Sequence, residues 1–321
     1  MTNDRKAAVE PAATPAAPSL AIVIPVYNGR KHLAETLQSC VQQLCPADEI
    51  IVVEDGSPKS SRDIVELLPG VRYVDQPNGG VSSARNHGAS VATADWICFL
   101  DQDDLLLPDH LEQLSKAIQS GVRADLFYTP RVVLSCVDGV WTTRESQSPP
   151  AARHLARVLP IRCPFPPSGT CVRRSVFEAA GGFRSRYDLA EDWEFWLRLN
   201  AMGAVFHLLP TPTVCYRVHM ESNSHRPLPI LNANLRVIRE QILPSVFFLK
   251  RLWVGKRLIS TQEADAAILL RQMGQDGGQR LLLRSIVRLP LGNWRRYKIA
   301  AHMLTHGLRN VSHKDTSRFR A

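Results

Sequence analysis

Three carboxylates lie within four residues, at Asp101, Asp103 and Asp104, directly after the apolar run formed by residues 96–100. Carboxylates this close repel one another unless a cation or hydrogen-bond donors compensate their charge. Hard oxygen ligands suit Mg²⁺ or Mn²⁺, and such an ion typically joins one or two carboxylates to the diphosphate of a substrate. Acidic triplets are also common in loops where an acid only caps a helix, so the triplet alone leaves both interpretations open.

A second group of acids occurs later in the chain, at Glu191 and Asp192. Residues 191–199 predict a helix that begins with acids in its first turn, where the helix dipole favours negative charge. Glu194 is spaced to pair with Arg198 one turn later. Taken alone, these residues favour a stabilising role for the acids over a catalytic one.

The elements that must position these acids are short β-branched runs alternating with helical stretches. Fully apolar runs are typical of strands covered on both faces, as in a mostly parallel sheet with crossover helices. Ligands of such sheets bind beyond the carboxyl ends of the strands. Polar turns follow the first, second and fourth strands, so we expect these turns to meet in one cleft. The predicted strands are residues 20–25, 49–53, 71–74 and 96–100, and the predicted helices are residues 33–44 and 82–93.

Single polar residues near the predicted strand ends have ordinary explanations when each is taken alone. Tyr27 and Asn28 fit a simple turn, and Asp55 fits an Asx-turn with the glycine that follows it. Arg85 fits a surface arginine paired with the acidic triplet, and His219 fits a structural histidine. Because the first three occur together after successive strands, they indicate a binding site.

The composition is that of an ordinary globular protein. Of 321 residues, 45% are hydrophobic and 21% are charged, which excludes collagen-like, disordered and disulfide-scaffold classes. The 7 cysteines include no C-x-x-C pair, so neither a zinc site nor a full disulfide framework is indicated, and a reducing cytoplasm is expected. No uninterrupted apolar stretch approaches the roughly 20 residues that span a bilayer.

Charge divides the chain into three predicted regions. Residues 1–19 are rich in Ala and Pro and predict a disordered leader. Residues 20–227 form a slightly acidic body. Residues 228–321 contain 17 Lys and Arg against 5 Asp and Glu and predict a basic helical C-terminal region. Its segments 250–258 and 294–304 mix aromatic and basic residues, which fits either amphipathic helices packed on the body or peripheral attachment to anionic lipid.

The ordered motifs resemble the family 2 glycosyltransferases of the GT-A fold, an α/β architecture with a mostly parallel sheet flanked by helices. The resemblance covers about residues 20–224, and it is specific because the motifs occur in the family's order and spacing. The motifs are VIPVYNG at 23–29, VVEDGS at 52–57, NGGVSSARNHG at 78–88, FLDQDD at 99–104, GGF at 181–183, ED at 191–192 and YRVH at 216–219.

This resemblance implies a role for each matching residue. Asp101 and Asp103 would hold Mn²⁺ or Mg²⁺, with His219 completing the metal shell or donating to phosphate. Asp192 would be the catalytic base. Glu191 and Gly169 would lie on the acceptor side. The residues implied to bind the nucleotide or donor are Pro25, Tyr27, Asn28, Asp55, Arg85, Asp101 and Gln102, with Asp55 accepting a hydrogen bond from the base and Arg85 partnering the diphosphate or the acidic loop.

The resemblance further implies a metal-dependent inverting transfer from a nucleotide-diphospho-sugar, with a UDP-sugar favoured as the commonest donor among relatives. The expected acceptor is a hydroxyl of a glycan or of a lipid-linked molecule, in cell-surface polysaccharide or glycolipid synthesis at the inner face of the membrane. A Q-x-x-R-W motif after Asp192, typical of processive synthases in this family, is absent. We therefore expect transfer of one sugar, or very few.

Two alternatives come from other functional classes. One is a nucleotide-sugar-binding module without activity, against which the intact Asp101, Asp103 and Asp192 argue. The other is a nucleic-acid-binding protein, motivated by the basic C-terminal region. That alternative does not explain acids gathered at strand ends, because carboxylates repel phosphate, and we expect no nucleic acid partner.

Overall fold

The computed structural model of the protein describes residues 18–137, 140–145, 148–219 and 226–290, together with Tyr297. The predicted leader, up to residue 17, and nearly all of the aromatic and basic segment 294–304 lie outside these residues. The strands are β1 (Leu20–Val26), β2 (Glu49–Asp55), β3 (Val71–Gln76), β4 (Trp96–Phe99), β5 (Leu105–Leu106), β6 (Leu126–Tyr128), β7 (Arg131–Val137), β8 (Val140–Glu145), β9 (Thr170–Arg173), β10 (Phe206–Leu208) and β11 (Val214–Val218). The helices are α1 (Arg30–Val41), α2 (Arg62–Val65), α3 (Val81–Val91), α4 (His110–Gln119), α5 (Ala152–Val158), α6 (Arg174–Ala180), α7 (Glu191–Ala201), α8 (Pro227–Val237), α9 (Phe248–Gln272) and α10 (Gly278–Arg288).

Within the described ranges, the main sheet has seven strands in the order β10-β6-β9-β4-β1-β2-β3. Strands β3, β2, β1 and β4 are parallel, β9 is antiparallel to both β4 and β6, and β10 is parallel to β6. A second sheet, of four strands in the same ranges, has the order β5-β11-β7-β8. The expected α/β architecture with a mostly parallel sheet is confirmed.

Register places the carboxyl ends of three neighbouring strands at one edge of the main sheet. Pro25 of β1 pairs with Val53 of β2, and Val23 of β1 pairs with Phe99 of β4. The strand β2 is two residues longer than the sequence predicted. It includes Glu54 and Asp55, which are buried and continue the parallel pairing with Asp75 and Gln76 of β3.

Close packing of α3 on the sheet explains its small residues. Every residue of β1 is buried, as expected for a strand covered on both faces. A Cβ at Gly88 of α3 would lie 2.4 Å from Val23 Cγ1 and 3.0 Å from Val53 Cγ2. Glycine at this position therefore lets the helix approach the sheet closely.

The first helices of the C-terminal region pack on the body. Val237, Ile238 and Leu258 belong to the same buried cluster as Phe195 and Trp196 of α7. The helices α9 and α10 pack together in a smaller buried cluster that also includes Leu231 of α8. Among the described helices, none is long and apolar enough to cross a membrane.

Candidate active site

A cleft of about 1040 Å³ lies at the carboxyl ends of β1, β2 and β4 and is also lined by the first turns of α3 and α7. The expectation that the polar strand ends meet in one cleft is confirmed. Every predicted site residue except Gly169 lines this cleft. These residues are Pro25, Tyr27, Asn28, Asp55, Arg85, Asp101, Gln102, Asp103, Glu191, Asp192 and His219.

The loop after β1 is held by the side chain of Gln102. The Tyr27 N–H donates to Gln102 Oε1 at 2.8 Å, and Gln102 Nε2 donates to the Tyr27 carbonyl at 3.0 Å. A Cβ at Gly29 would lie 2.1 Å from Gln102 Oε1, so glycine leaves room for this pairing. Asn28 has a positive φ of 52°, which asparagine tolerates, and its N–H donates to Ser57 Oγ at 2.9 Å. Gln102 therefore shapes this loop with both ends of its amide group.

The buried carboxylate of Asp55 holds the glycine-rich segment that precedes α3. Its Oδ1 accepts from Gln76 Nε2 at 2.7 Å and from the Gly79 N–H at 2.8 Å, and its Oδ2 accepts from the Gly80 N–H at 2.9 Å. Gly80 has a φ of 84°, where a side chain would be strained. Since an ionised carboxylate offers about four acceptor positions, Asp55 keeps room for roughly one further donor.

Arg85 is buried on α3 and joins two acids of the cleft. Its Nη2 donates to Asp101 Oδ1 at 2.6 Å, and its Nη1 donates to Glu191 Oε1 at 2.8 Å. Burial opposes the charge of Arg85, but attraction to Asp101 and Glu191 outweighs burial and raises its pKa. Glu191 Oε2 is buried without a hydrogen-bond partner. Arg85 therefore pairs with the acidic loop, as both the ordinary interpretation and one of the two roles implied by the resemblance expected.

The three acids after β4 lie in two environments. Asp104 is buried, and its Oδ1 accepts from the Arg217 N–H of β11 at 2.8 Å. Burial, followed by repulsion from Asp103 and Asp101, raises the pKa of Asp104 well above its usual range. Asp101 and Asp103 line the cleft instead. Asp104 therefore ties the acidic loop to the second sheet, and the other two carboxylates are available to a ligand.

A divalent cation fits this pair of carboxylates when it is shared with a substrate. Asp103 Oδ2 lies 2.8 Å from His219 Nε2, and burial followed by repulsion from Asp101 raises the pKa of Asp103. A cation beside the two carboxylates would relieve that repulsion. In the described part of the chain, no three His, Cys, Asp or Glu side chains are grouped so that they could hold a metal ion. Because Mg²⁺ usually binds one or two carboxylates together with water and substrate phosphates, the donor set suits an ion that arrives with a diphosphate.

Asp192, in the first turn of α7, has the acid–base character that a catalytic base needs. Its Oδ1 accepts from the Trp193 N–H at 2.6 Å, and its Oδ2 accepts from the Cys163 thiol at 3.4 Å. Burial, followed by repulsion from Glu191, raises the pKa of Asp192 to about 7, although these two hydrogen bonds and the charge of Arg85 oppose the rise. A carboxyl group with this pKa can accept a proton near neutral pH.

Gly169 lies behind the cleft. Its N–H donates to the Phe99 carbonyl at 2.9 Å, and a Cβ at its positive φ of 80° would lie 2.2 Å from Val214 Cγ2. The neighbouring residues Pro166 and Pro167 line the cleft. Gly169 therefore lets the two sheets approach each other, and the prolines before it face the cleft.

Sequence reasoning missed several polar residues of the site. Asp188 lines the cleft, and its position three residues before the acidic start of α7 was a signal that could have found it. Cys163 contacts Asp192, although it is distant in sequence. His32 also lines the cleft, and burial followed by the positive charge of Arg217 lowers its pKa to about 4. Cys163 and His32 carried no signal because only the fold brings them to the site.

Comparison with known protein families confirms the resemblance that the motifs indicated. Residues 21–181, which make up half of the chain, match the family described as Glycosyl transferase family 2. This range includes the strand-end motifs and the acidic loop, and it ends before Glu191 and Asp192.

Several curated proteins are similar to this chain. The hyaluronan synthase of Pasteurella multocida is 28% identical over 240 residues, covering 70% of this chain and 23% of that protein. An uncharacterised glycosyltransferase of Haemophilus influenzae is 26% identical over 183 residues, covering 56% of this chain and 61% of that protein. The matched region thus spans about a quarter of the hyaluronan synthase and three fifths of the second relative.

Solved structures show the same fold. The structure of S. aureus TarS 1-349 in complex with UDP-GlcNAc has a TM-score of 0.57 and 17% sequence identity, covering 88% of this chain and 83% of that chain. The structure of the same TarS fragment in complex with UDP has a TM-score of 0.53 and 15% identity, covering 89% and 91%. The chain therefore has the GT-A fold of TarS.

Proposed function

The chain belongs to glycosyl transferase family 2, and on this basis we propose that it moves one sugar from a nucleotide-diphospho-sugar to an acceptor hydroxyl with inversion. The observation that carries the proposal is a single cleft lined by the carboxylates of Asp101 and Asp103 and by Asp192, whose pKa is raised to about 7. Glycosyl transfer needs charge compensation for a departing diphosphate and a base for the incoming hydroxyl. Asp101 and Asp103 are the proposed residues for charge compensation, and Asp192 is the proposed base.

Ionised Asp192 accepts the proton of the acceptor hydroxyl while the hydroxyl oxygen forms its bond to the anomeric carbon. The bond from that carbon to the diphosphate oxygen breaks, and the nucleoside diphosphate leaves with the electron pair. Attack opposite to the leaving group inverts the anomeric centre, and no covalent bond to the protein forms.

Asp101 and Asp103 are the proposed ligands of Mn²⁺ or Mg²⁺, with His219 beside Asp103. When bound, the ion supplies positive charge to the leaving diphosphate. The protein itself contributes the placement of the two carboxylates. Arg85 holds Asp101, and the Asp101 N–H donates to Ser168 Oγ at 3.0 Å.

The proposed nucleoside site is the loop after β1 together with Asp55. The ring of Tyr27 is about half exposed at the cleft, at 47%, where it can lie against a base. The remaining acceptor capacity of Asp55 suits an N–H edge such as that of uracil. A UDP-sugar is the proposed donor class, in keeping with TarS, which shares the fold and was solved with UDP-GlcNAc.

The proposed acceptor is a hydroxyl of a glycan or a lipid-linked molecule, in cell-surface polysaccharide or glycolipid synthesis. The names of two relatives, hyaluronan synthase and chondroitin synthase, support a polysaccharide setting. The proposed location is the cytoplasm at the inner face of the membrane, with peripheral contact through the basic C-terminal region. Glu191 and the proline pair before Ser168 are the proposed acceptor-side residues.

The test separates donor binding from transfer. Thermal unfolding of the protein is measured with a panel of nucleotide sugars, with and without Mn²⁺, because a ligand that binds the native state raises its apparent stability. The donor identified in this way is then used to compare Asp192→Ala with the unaltered protein. We expect the variant to retain the thermal shift and to lose sugar transfer.

An exposed acid on β3 supplies the matched control. Asp75→Asn removes a carboxylate whose side chain is 69% exposed, and it should leave both readings unchanged. Unchanged transfer by Asp192→Ala would refute the assignment of the base. Donor binding without transfer in the unaltered protein, with acceptors of both classes, would favour an inactive binding module.

A further inference from the structure

The beginning of α9 presents large apolar side chains to solvent. In the described residues, four of them are exposed within seven consecutive positions: Phe247 at 71%, Phe248 at 76%, Leu252 at 71% and Trp253 at 57%. Exposed apolar residues are ordinary when they are scattered singly, but a contiguous group marks an interaction site. Farther along, α9 buries Leu258, Ala267 and Leu270 against its neighbours, and Leu269 is a single exposed apolar side chain at 36%, so the contiguous exposed group lies at the beginning of the helix.

Basic side chains surround these apolar groups. Lys250, Arg251, Lys256 and Arg257 are all exposed. We refer to these four cations and the four apolar residues together as the aromatic–basic surface. The Arg257 guanidinium lies 5.5 Å from the centre of the Trp253 ring. Residues 241–262 contain no Asp or Glu, so this charge is not compensated along the segment.

The positive charge of these four cations is not neutralised by the neighbouring acid of α9. Glu263, the acid that follows this segment on α9, is buried and paired with Arg284 and Arg288 of α10, so it does not offset the four cations. The Arg251 guanidinium donates to the Pro244 carbonyl at 3.2 Å. Because a carbonyl does not neutralise the guanidinium, Arg251 stays positively charged and is held beside the aromatic side chains. The aromatic–basic surface therefore has a net positive charge and a defined position at one end of α9.

This chemistry complements an anionic lipid surface. Aromatic side chains favour the boundary between headgroups and acyl chains, and flanking Lys and Arg side chains reach the phosphates. Among the described helices none can span a bilayer, so the contact would be made from one side. We propose that the aromatic–basic surface docks the protein on anionic lipid, with the apolar side chains entering the interface. The inference deepens the membrane contact offered under the proposed function and assigns it to named residues.

The experiment is sedimentation of the full chain with vesicles of phosphatidylcholine alone or mixed with phosphatidylglycerol, at low and high salt and without any sugar nucleotide. The unaltered protein should sediment with the anionic vesicles at low salt. In Lys250→Gln with Arg251→Gln, partitioning should weaken about 25-fold, since each cation near an anionic leaflet contributes about fivefold. In Phe248→Ser with Trp253→Ser, it should weaken by at least about tenfold.

Matched controls use exposed residues of the body. Leu44→Ser with Leu67→Ser removes apolar side chains that are 68% and 78% exposed and should leave partitioning unchanged. Lys59→Gln is the charge control. Circular dichroism melts check that every variant is folded.

Failure of the unaltered protein to bind anionic vesicles at low salt would overturn the proposal. Binding that both altered pairs retain would do the same, and so would dimerisation abolished by Phe248→Ser with Trp253→Ser in the absence of vesicles. Because no donor is present, the result is independent of the proposed transferase activity. An active transferase that does not bind vesicles would refute only the docking proposal, and an inactive protein that binds them would refute only the proposed activity.

Discussion

Replacement of Asp192 by Asn should stabilise the protein at high pH while it removes the proposed base. The amide has the shape of the carboxyl group, and its oxygen can still accept the Trp193 N–H that Asp192 Oδ1 accepts at 2.6 Å. The amide does not ionise. The substitution therefore isolates the unfavourable free energy of ionising this side chain in the native state.

The magnitude follows from the pKa of Asp192, which burial and then repulsion from Glu191 raise from 3.8 to about 7. Three pKa units correspond to about 4 kcal/mol at 1.36 kcal/mol per unit. The native state holds the proton more tightly than the unfolded chain. Stability from this group is thus fully present below the unfolded pKa and is lost as the pH rises through about 7. The Asp192→Asn variant loses no stability to ionisation over that range. Its free energy of unfolding should therefore exceed that of the unaltered protein by an amount that grows from near zero at about pH 4 toward about 4 kcal/mol at about pH 8.

Urea unfolding across this pH range measures the difference. Asp63→Asn is a control of opposite sign, because the side-chain hydrogen bond from Arg30 lowers the pKa of Asp63 to about 2. Asp63 contributes stability above its unfolded pKa that is lost as the pH falls through about 2, so its removal should destabilise the protein at neutral pH. Parallel stability curves for Asp192→Asn and the unaltered protein between about pH 5 and pH 8 would show that Asp192 ionises normally, and the reasoning would then be wrong.

Two further outcomes follow from contacts near the cleft and behind it. Cys163→Ala removes the thiol that donates to Asp192, so the pKa of Asp192 should rise. The midpoint of the pH–rate profile should then move upward by at most about one pH unit. A midpoint that moves downward would contradict this prediction. Gly88→Ala places a Cβ 2.4 Å from Val23 Cγ1 and should lower the free energy of unfolding by about 1–3 kcal/mol. The exposed Ser90→Ala on the same helix should change it little, and equal effects of the two in denaturant unfolding would refute the packing argument.

The central part of the fold could be predicted from the sequence because its signals are local. Residues 20–25 and 49–53 are continuous apolar runs, and such runs predict buried parallel strands without knowledge of their neighbours. Strand order was less accessible. The antiparallel strand β9 lies between β4 and β6 through contacts far apart in sequence, and nothing in residues 170–173 specifies that pairing.

The candidate site shows the same contrast between local signals and contacts that are distant in sequence. Tyr27, Asn28, Asp55 and the acids after β4 could be listed because they follow strands directly, whereas Arg85, Glu191, Asp192 and His219 were assigned from the family resemblance. Their partners could not be predicted. Arg85 appeared to be a surface arginine when taken alone, yet it is buried between Asp101 and Glu191, which are 16 and 106 residues away. Gly169 was assigned to the acceptor side, yet it packs against Val214 because a glycine motif does not specify which wall it allows to approach.

The position of Arg85 makes the two sides of the cleft interdependent. One guanidinium binds both Asp101, on the proposed donor side, and Glu191, whose charge raises the pKa of the neighbouring Asp192. Arg85 also lowers that pKa directly, so the acid–base character of Asp192 depends on a cation that is anchored by the donor side. An arginine can do this because its planar fork offers separate N–H groups to two carboxylates at once, whereas a lysine is a single point of charge. The site therefore balances burial of Asp192 and repulsion from Glu191 against the hydrogen bonds from Trp193 and Cys163, with the charge of Arg85 as a further opposing contribution.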